Sequence, residues 1–322
     1  MLAAYAARVS ADDPLSALEV GDRPAPERRD GWTTVTVKAA SLNHHDIWAL
    51  RGVALSAEKT PMILGGDAAG IDEDGNDVVV HSVIGDPDAG GGDETLDPRR
   101  SLLSERYDGT LAESVAVPRR NLVPKPAELS FEEAACLPTA WLTAYKMLFV
   151  RAGVRPGDTV LVQGAGGGVA TAAIALGRAS GLRVWATSRH EEKRSRAVAL
   201  GAHDAFETGA KLPGKVDAVL ESVGAATWQH SLRSVRPGGR IVVCGATSGY
   251  TVETDLPRVF FTQVDIVGST MGTRADLAAL LAFLATTGVR PVIDSTFALS
   301  DARAGLARLL DDDLFGKVVL LP

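Results

Sequence analysis

The run Val160-Leu161-Val162-Gln163-Gly164-Ala165-Gly166-Gly167-Gly168-Val169-Ala170 constrains the fold more than any other part of the chain. A short apolar segment suited to a buried strand runs into glycines, and an alanine-rich segment of helical character follows at once. Glycines there allow a tight turn and let the backbone approach a pyrophosphate, whose charge then sits at the helix N-terminus among N–H groups that lack helical partners. The spacing reads as a variant dinucleotide fingerprint with Ala165 first, Gly167 in the middle and Ala170 last, where alanine suffices because only close helix-strand packing is required. A sharp strand-helix connection could use glycines without a ligand, but the preceding strand, the helix and a second strand all occupy the places that phosphate binding needs. No Lys-Ser or Lys-Thr pair follows the glycines, which disfavours a triphosphate loop. The candidate contacts are Ala165, Gly166, Gly167, Gly168 and Val169.

The second strand ends at Thr187-Ser188-Arg189, with Lys193 four residues on. A site specific for NAD places an acidic residue at this point for the ribose hydroxyls, and its charge would repel a 2′-phosphate. Ser188, Arg189 and Lys193 instead offer a hydroxyl and two cations, so the expected cofactor is NADP(H). The competing reading is that Arg189 and Lys193 decorate an exposed helix start beside Glu191 and Glu192.

A chain of 322 residues with 46% apolar content is long enough for two domains. Up to about residue 125, short β-rich runs such as Thr33-Thr34-Val35-Thr36-Val37 alternate with Gly, Pro and Asp clusters. The stretch Gly85 to Glu94 has little to bury and reads as a surface loop of some mobility. From about Ser130 the pattern changes to alternating helix and strand: a helix near Phe131 to Arg151, strands at Thr159 to Gln163, Arg183 to Thr187, Val216 to Glu221 and Arg240 to Gly245, and helices between them. This predicts a doubly wound parallel sheet of the α/β class. The net charge of −7 and the lack of any cationic stripe argue against nucleic acid, and no apolar run approaches the roughly 18 residues of a membrane helix. The start of the chain lacks a secretory pattern, and Cys136 and Cys244 sit far apart in apolar surroundings, so a soluble cytoplasmic protein with buried, reduced thiols is expected.

Further pieces fall in a recognisable order: Ala40-Ser41-Leu42-Asn43-His44-His45-Asp46-Ile47-Trp48, Gly65-Gly66-Asp67-Ala68-Ala69-Gly70, Asp108-Gly109-Thr110-Leu111-Ala112-Glu113, Leu142-Thr143-Ala144-Tyr145, Gly238-Gly239-Arg240 and Phe315-Gly316-Lys317-Val318-Val319. Together with the glycine turn they make the chain resemble the medium-chain dehydrogenase/reductase superfamily, in particular its zinc-lacking quinone oxidoreductase-like branch. The resemblance implies a Rossmann domain (126–265) inserted into a GroES-like β-rich catalytic domain (1–125 plus 266–322), with the active site in the cleft between them. It adds Thr143, Ser222, Val223, Gly224, Gly245, Ala246, Gly316 and Lys317 as cofactor contacts, and a homodimer joined through the Rossmann sheet edges, where Phe260-Phe261 and Ile266-Val267 supply apolar surface. Zinc-dependent relatives place ligands where this chain has Asn43, Gly66 and a residue near Thr139, which are poor or absent donors for that ion, so no metal is expected.

Without a Lewis acid, a conjugated substrate is the natural electrophile: hydride attacks the β-carbon of an enone or quinone and the charge spreads onto the carbonyl oxygen. The resemblance makes Asn43, His44, His45, Trp48 and Asp67 the candidates for the pocket, with Asn43 the favoured polar contact. His44 and His45 are neighbours without a partner at metal spacing, so they fit a substrate pocket or a ribose contact better than a metal site. Asp46 reads as structural, and the Trp48 indole donates a hydrogen bond without being an acid. The alternatives are a zinc-free carbonyl or alcohol dehydrogenase and a non-catalytic cofactor-binding relative.

Overall fold

Strand character in the first third of the chain comes from period-two burial. In the computed structural model, which describes residues 1–27 and 29–322, the first strands are β1 (Leu2–Ala6), β2 (Leu18–Asp22) and β3 (Trp32–Ser41). Along β3 the side chains of Thr33, Val35, Val37 and Ala39 are buried and alternate with more exposed neighbours, until Ala40 and Ser41 are buried too. The next elements are α1 (His44–Leu50), β4 (Met62–Ile63), β5 (Asp67–Asp72), β6 (Asp77–Val80), β7 (Val83–Ile84), β8 (Ser101–Leu102), β9 (Ser114–Pro118), β10 (Leu122–Pro124) and α2 (Phe131–Ala135). Mixed π and α turns follow, Leu137–Trp141, α3 (Leu142–Tyr145) and Lys146–Ala152, where the sequence predicts one helix. Pro138 lacks the N–H that a regular helix would use there.

The glycine-turn half comprises β11 (Thr159–Val162), α4 (Gly168–Ala179), β12 (Arg183–Thr187), α5 (Glu191–Leu200), β13 (Asp204–Phe206), β14 (Val216–Glu221), α6 (Trp228–Ser234), β15 (Val235–Val243), α7 (Leu256–Thr262) and β16 (Asp265–Gly268). Its six strands are all parallel, in the order β13-β12-β11-β14-β15-β16, a doubly wound sheet as the helix-strand alternation predicts. Leu161, Val219 and Ile241 of its central strands pack with Trp228 and Leu232 of α6. The chain then closes with α8 (Arg274–Thr287), β17 (Ile293–Ala298), α9 (Ala302–Arg308) and β18 (Lys317–Leu321). Strand β18 joins β3 and β17 in a sheet ordered β10-β6-β5-β3-β18-β17, with β9 also on β3.

Two units result, Met1–Leu142 with Met271–Pro322 and Thr143–Thr270. The first boundary lies later than the 125/126 division read from composition, because α2 packs on β3 and β5 of the first unit. The second lies at 270/271 rather than 265/266, since β16 completes the parallel sheet. The Gly85 to Glu94 stretch is tied down more firmly than its composition suggests. Asp97 accepts from the Asp86 and Arg99 amides, both at 2.8 Å, and Glu94 is buried and accepts from the Arg274 amide at 2.6 Å. Carboxylates bonded to backbone N–H groups replace the missing apolar contacts.

Candidate active site

In the first unit, the end of β3, the start of α1, the start of β5 and the start of β18 bring Ser41, Asn43, Asp67 and Lys317 together. The Lys317 ammonium has three N–H bonds, and all three are taken: the Leu42 carbonyl at 2.6 Å, Asn43 Oδ1 at 2.6 Å and Asp67 Oδ2 at 3.2 Å. Asp67 Oδ2 also accepts from Ser41 Oγ and from Asn43 Nδ2, each at 2.8 Å. Asp67 is wholly buried, and its second oxygen, Oδ1, has no partner among the described residues. The Asn43 amide is thereby fixed at both ends. This revises the reading of Lys317 as a cofactor contact, because its donors are consumed inside the first unit. Gly316 serves packing: it has φ +116°, and a Cβ there would meet the Val292 carbonyl at 2.5 Å.

Asp46 holds this arrangement in register. One of its oxygens accepts from the Asn43 amide at 2.8 Å at the start of α1, and the other from the Gly65 amide at 3.0 Å. Burial pushes its carboxyl above the ordinary range. Gly65 has φ +98° and lies so close to Thr110 Oγ1 that a Cβ would sit 2.5 Å from it, so the turn into β5 requires glycine.

The two histidines on α1 differ. His45 is part-buried, with Nε2 3.2 Å from Glu105 Oε1. Burial lowers its pKa, but the Glu105 bond and the negative field of Asp46, Glu105 and Asp67 outweigh this and leave it above the ordinary imidazole value. For Glu105, burial raises the pKa, and the His45 bond and the Leu102 amide at 2.9 Å hold it below the usual carboxylate range. His44 is exposed, yet desolvation on its crowded flank, with the charges of Lys317 and Arg51, holds its pKa down. Trp48 stands three residues after His45 on the same helical face and is half-buried. Glu105, the partner that distinguishes the histidines, was not legible from spacing, since it lies 60 residues away.

A zinc ion does not suit the three positions in question. A Cβ at Gly66 would lie 3.6 Å from Thr139 Oγ1 and 3.4 Å from Ser82 Oγ, so hydroxyls surround a position with no side chain. Asn43 is committed to Lys317 and Asp67, and among the described residues no group of three His, Cys, Asp or Glu side chains is arranged to hold a metal ion. An ammonium beside the site would also oppose a dication.

In the second unit the glycine turn suits a dinucleotide. Gly167 has an ordinary φ of −70° at the N-cap of α4, and a Cβ there would meet no atom of the chain within 4 Å. Nothing intramolecular demands glycine at that point, which is what a ligand in close approach would require. Ala165 and Gly166 are buried at the turn, and Gly168 and Val169 open α4, whose first N–H groups lack helical acceptors. Ser188 is buried, its hydroxyl accepting from the His190 amide at 3.2 Å, and Arg189 is exposed beside it. Lys193 lies part-buried on α5. Arg194 was missed: its guanidinium folds back onto the Ser188 carbonyl at 2.9 Å. Ser222, Val223 and Gly224 follow β14, and Gly245 and Ala246 follow β15. These two loops touch, since a Cβ on Gly224 would lie 2.9 Å from Ala246 Cα. Thr143 is buried at the start of the unit.

The sequence matches two family profiles, an alcohol dehydrogenase GroES-like domain over residues 29–127 and a zinc-binding dehydrogenase domain over residues 168–286. An acryloyl-coenzyme A reductase of Metallosphaera sedula is 32% identical over 94% of this chain and 96% of its own. A crystal structure of an NAD-dependent alcohol dehydrogenase superposes with a TM-score of 0.92 at 36% identity, covering 100% of both chains. The structure of a 2-octenoyl-CoA carboxylase reductase in complex with NADP and 2-octenoyl-CoA has a TM-score of 0.92 at 26% identity, covering 99% of this chain and 87% of that one. The chain belongs to the medium-chain dehydrogenase/reductase superfamily, with the GroES-like and Rossmann folds that its motifs predict. It is similar to oxidoreductases that include enoyl-CoA reductases and alcohol dehydrogenases. Among the described residues no helix is long and apolar enough to cross a membrane.

Proposed function

We propose that this chain is a zinc-independent reductase of C=C bonds conjugated to a carbonyl, in an enoyl thioester, an enone or a quinone, and that it belongs to the zinc-lacking branch of the superfamily. The cofactor is NADP(H). The observation that carries the reading is the Asn43–Asp67–Lys317 cluster: where zinc-dependent relatives hold a metal, this chain has a pinned amide, a glycine and a hydroxyl, with a buried ammonium alongside. The relatives that act on enoyl-CoA thioesters support the substrate class.

Ala165 to Val169 and the start of α4 would hold the pyrophosphate, and Ser188, Arg189 and Lys193 the 2′-phosphate, with Arg194 bracing Ser188. Ser222 to Gly224, Gly245, Ala246 and Thr143 would line the rest of the cofactor. When bound, the reduced nicotinamide supplies a hydride, which the β-carbon of the substrate accepts. The C=C π bond then breaks toward the carbonyl, and charge gathers on its oxygen, where the Trp48 indole N–H and the histidines are the available donors. His45, whose pKa the Glu105 bond raises, is the group suited to return a proton to the α-carbon. His44, with its lowered pKa, is suited to a neutral contact. Asp67 and Asn43 keep the polar wall of the site rigid.

The second reading, reduction of a simple aldehyde or ketone, is favoured by the alcohol dehydrogenase relative at 36% identity. Following NADPH oxidation with crotonyl-CoA, a benzoquinone, an enone and a panel of aldehydes, on protein assayed for metal content, separates the two. Turnover of the conjugated substrates by zinc-free protein is expected. Turnover confined to aldehydes, or strictly dependent on stoichiometric zinc, overturns the proposal, and tight NADPH binding without any turnover favours a non-catalytic role. A homodimer through the free edge of β16 completes the proposal: Ile266 on that strand and Phe260 and Phe261 on α7 are exposed, at 42%, 59% and 79%. A monomeric sedimentation coefficient at micromolar protein would refute it.

A further inference from the structure

Beneath the loops that follow β11, β12 and β14 runs one continuous buried network. At its centre is Gln163, the residue directly before the glycine turn, with no solvent exposure. Its Oε1 accepts from the Thr187 hydroxyl at 2.6 Å, and Thr187 Oγ1 in turn accepts from the Gly164 amide at 3.3 Å. Its Nε2 donates to His230 Nδ1 and to Ser231 Oγ, each at 3.0 Å. The Ser231 hydroxyl donates to Glu221 Oε2 at 2.6 Å, and Glu221 Oε1 accepts from the Val223 and Gly224 amides at 2.8 and 3.0 Å.

The geometry fixes every orientation in the chain of bonds. Because His230 Nδ1 accepts from Gln163, its Nε2 carries the proton and donates to the Ala210 carbonyl at 2.9 Å, which defines a neutral tautomer. The orientation of the Gln163 amide follows from the same ring: with the His230 Nε2 proton held on a carbonyl that can only accept, the unprotonated Nδ1 needs a donor, and only the Nε2 end of the amide supplies one. Direct packing reinforces the link, since a Cβ on Gly164 would lie 2.6 Å from Val223 Cγ2. The network therefore ends on Gly164 at the phosphate turn, on Thr187 directly before Ser188 and Arg189, and on Val223 and Gly224. These are three of the loops to which the proposed function assigns the cofactor.

We propose that Gln163 is a positioning residue for the dinucleotide: through Thr187 and Ser231 it holds the pyrophosphate turn, the 2′-phosphate loop and the loop after β14 at one fixed mutual spacing before the cofactor arrives. A preformed site does not lose binding energy to ordering its loops. The inference rests on the reading of these loops as the cofactor site.

The test compares Thr187→Val, which keeps the shape and loses the hydroxyl, with Thr187→Ser, which keeps the hydroxyl, and with Gln163→Leu. Each is measured for thermal stability, for NADPH and NADH dissociation constants by fluorescence titration, and for amide exchange of the ligand-free protein over residues 164–169 and 223–224. Expected are a weakening of NADPH binding by Thr187→Val and Gln163→Leu on the order of tenfold, or about 1.4 kcal/mol, and faster exchange at Gly164 and Ala165. Thr187→Ser should stay within about twofold of the parent. Should Gln163→Leu fail to fold, the Thr187 pair alone decides. Lowered melting temperatures with unchanged NADPH affinity and unchanged exchange would reduce the network to ordinary core structure and overturn the proposal. Failure of the parent protein to bind NADPH at all would instead overturn the cofactor reading.

Discussion

Asp67 and Glu221 are both carboxylates without solvent exposure, one in each unit, and they are satisfied in opposite ways. Glu221 is surrounded by neutral donors that arrive within ten residues along the chain: the Val223 and Gly224 amides and the Thr227 and Ser231 hydroxyls. Asp67 takes its donors from residues 24 to 250 positions away, one of them the Lys317 ammonium, and leaves Oδ1 without a partner. Local, saturated bonding makes a cradle whose partners all come from one short stretch of chain. Long-range bonding around an incompletely satisfied carboxylate makes a polarised site that only the finished first unit can hold.

The largest test of that contrast is Lys317→Met. Removing one partner of a buried pair leaves the other charge uncompensated, so a loss of about 3–5 kcal/mol in denaturant unfolding is expected. The double variant Lys317→Met with Asp67→Asn should recover much of it. If the single variant costs under about 1 kcal/mol, Asp67 does not depend on the ammonium and the contrast fails.

Glu221→Gln should be milder, about 1–3 kcal/mol, because one acceptor oxygen remains and the loss is of hydrogen bonds rather than of a countercharge. Chemical denaturation of this variant beside Lys317→Met ranks the two units directly. Equal losses would mean that neutral donors and an ion pair are interchangeable here.

The difference in sequence range also explains what could be read in advance. The glycine turn and the parallel strands were legible because strand, turn and helix succeed one another within thirty residues, and hydrophobic runs record that order directly. The partnership of Asn43 and Asp67 with Lys317 was not legible, since no local pattern records that the start of β18 lies beside the end of β3. The placing of Lys317 among the cofactor contacts came from the family resemblance, which does not record that pairing either. The break at Pro138 and the firm hold on the Gly85 to Glu94 stretch escaped for a different one: both depend on individual backbone N–H groups, absent at Pro138 and captured by Asp97 and Glu94, rather than on apolar periodicity.

His45 and Glu105 sharpen the picture of the first unit through pH. The folded-state pKa of His45 is raised, so its contribution to stability is complete below about 6.5, the unfolded value, and is lost as pH rises through the folded value. Glu105 is depressed, so its contribution is present above about 4.5 and is lost as pH falls through its folded value. The stability difference between the parent and His45→Gln should be largest between those limits. Reduction of a conjugated substrate should also decline as pH rises above the ordinary imidazole range, and a flat rate profile there would remove His45 as the proton source.

The smallest effect is expected at the two thiols, each of which senses the buried carboxylate of its own unit. Burial pushes Cys136 and Cys244 up to about 12, so both should alkylate only slowly in the folded protein at pH 8. At Cys136 the Lys317 charge lowers the value and Asp67 raises it, so the two members of the pair act in opposite directions. At Cys244, the field of Glu221 acts in one direction only, raising it. Glu221→Gln should therefore speed Cys244 alkylation slightly, while Asp67→Asn combined with Lys317→Met leaves Cys136 near its parent rate. The comparison needs only a slow maleimide reaction followed by peptide mass analysis. A faster Cys136 in the double variant, with Cys244 unmoved by Glu221→Gln, would place the uncompensated field in the first unit instead of the second.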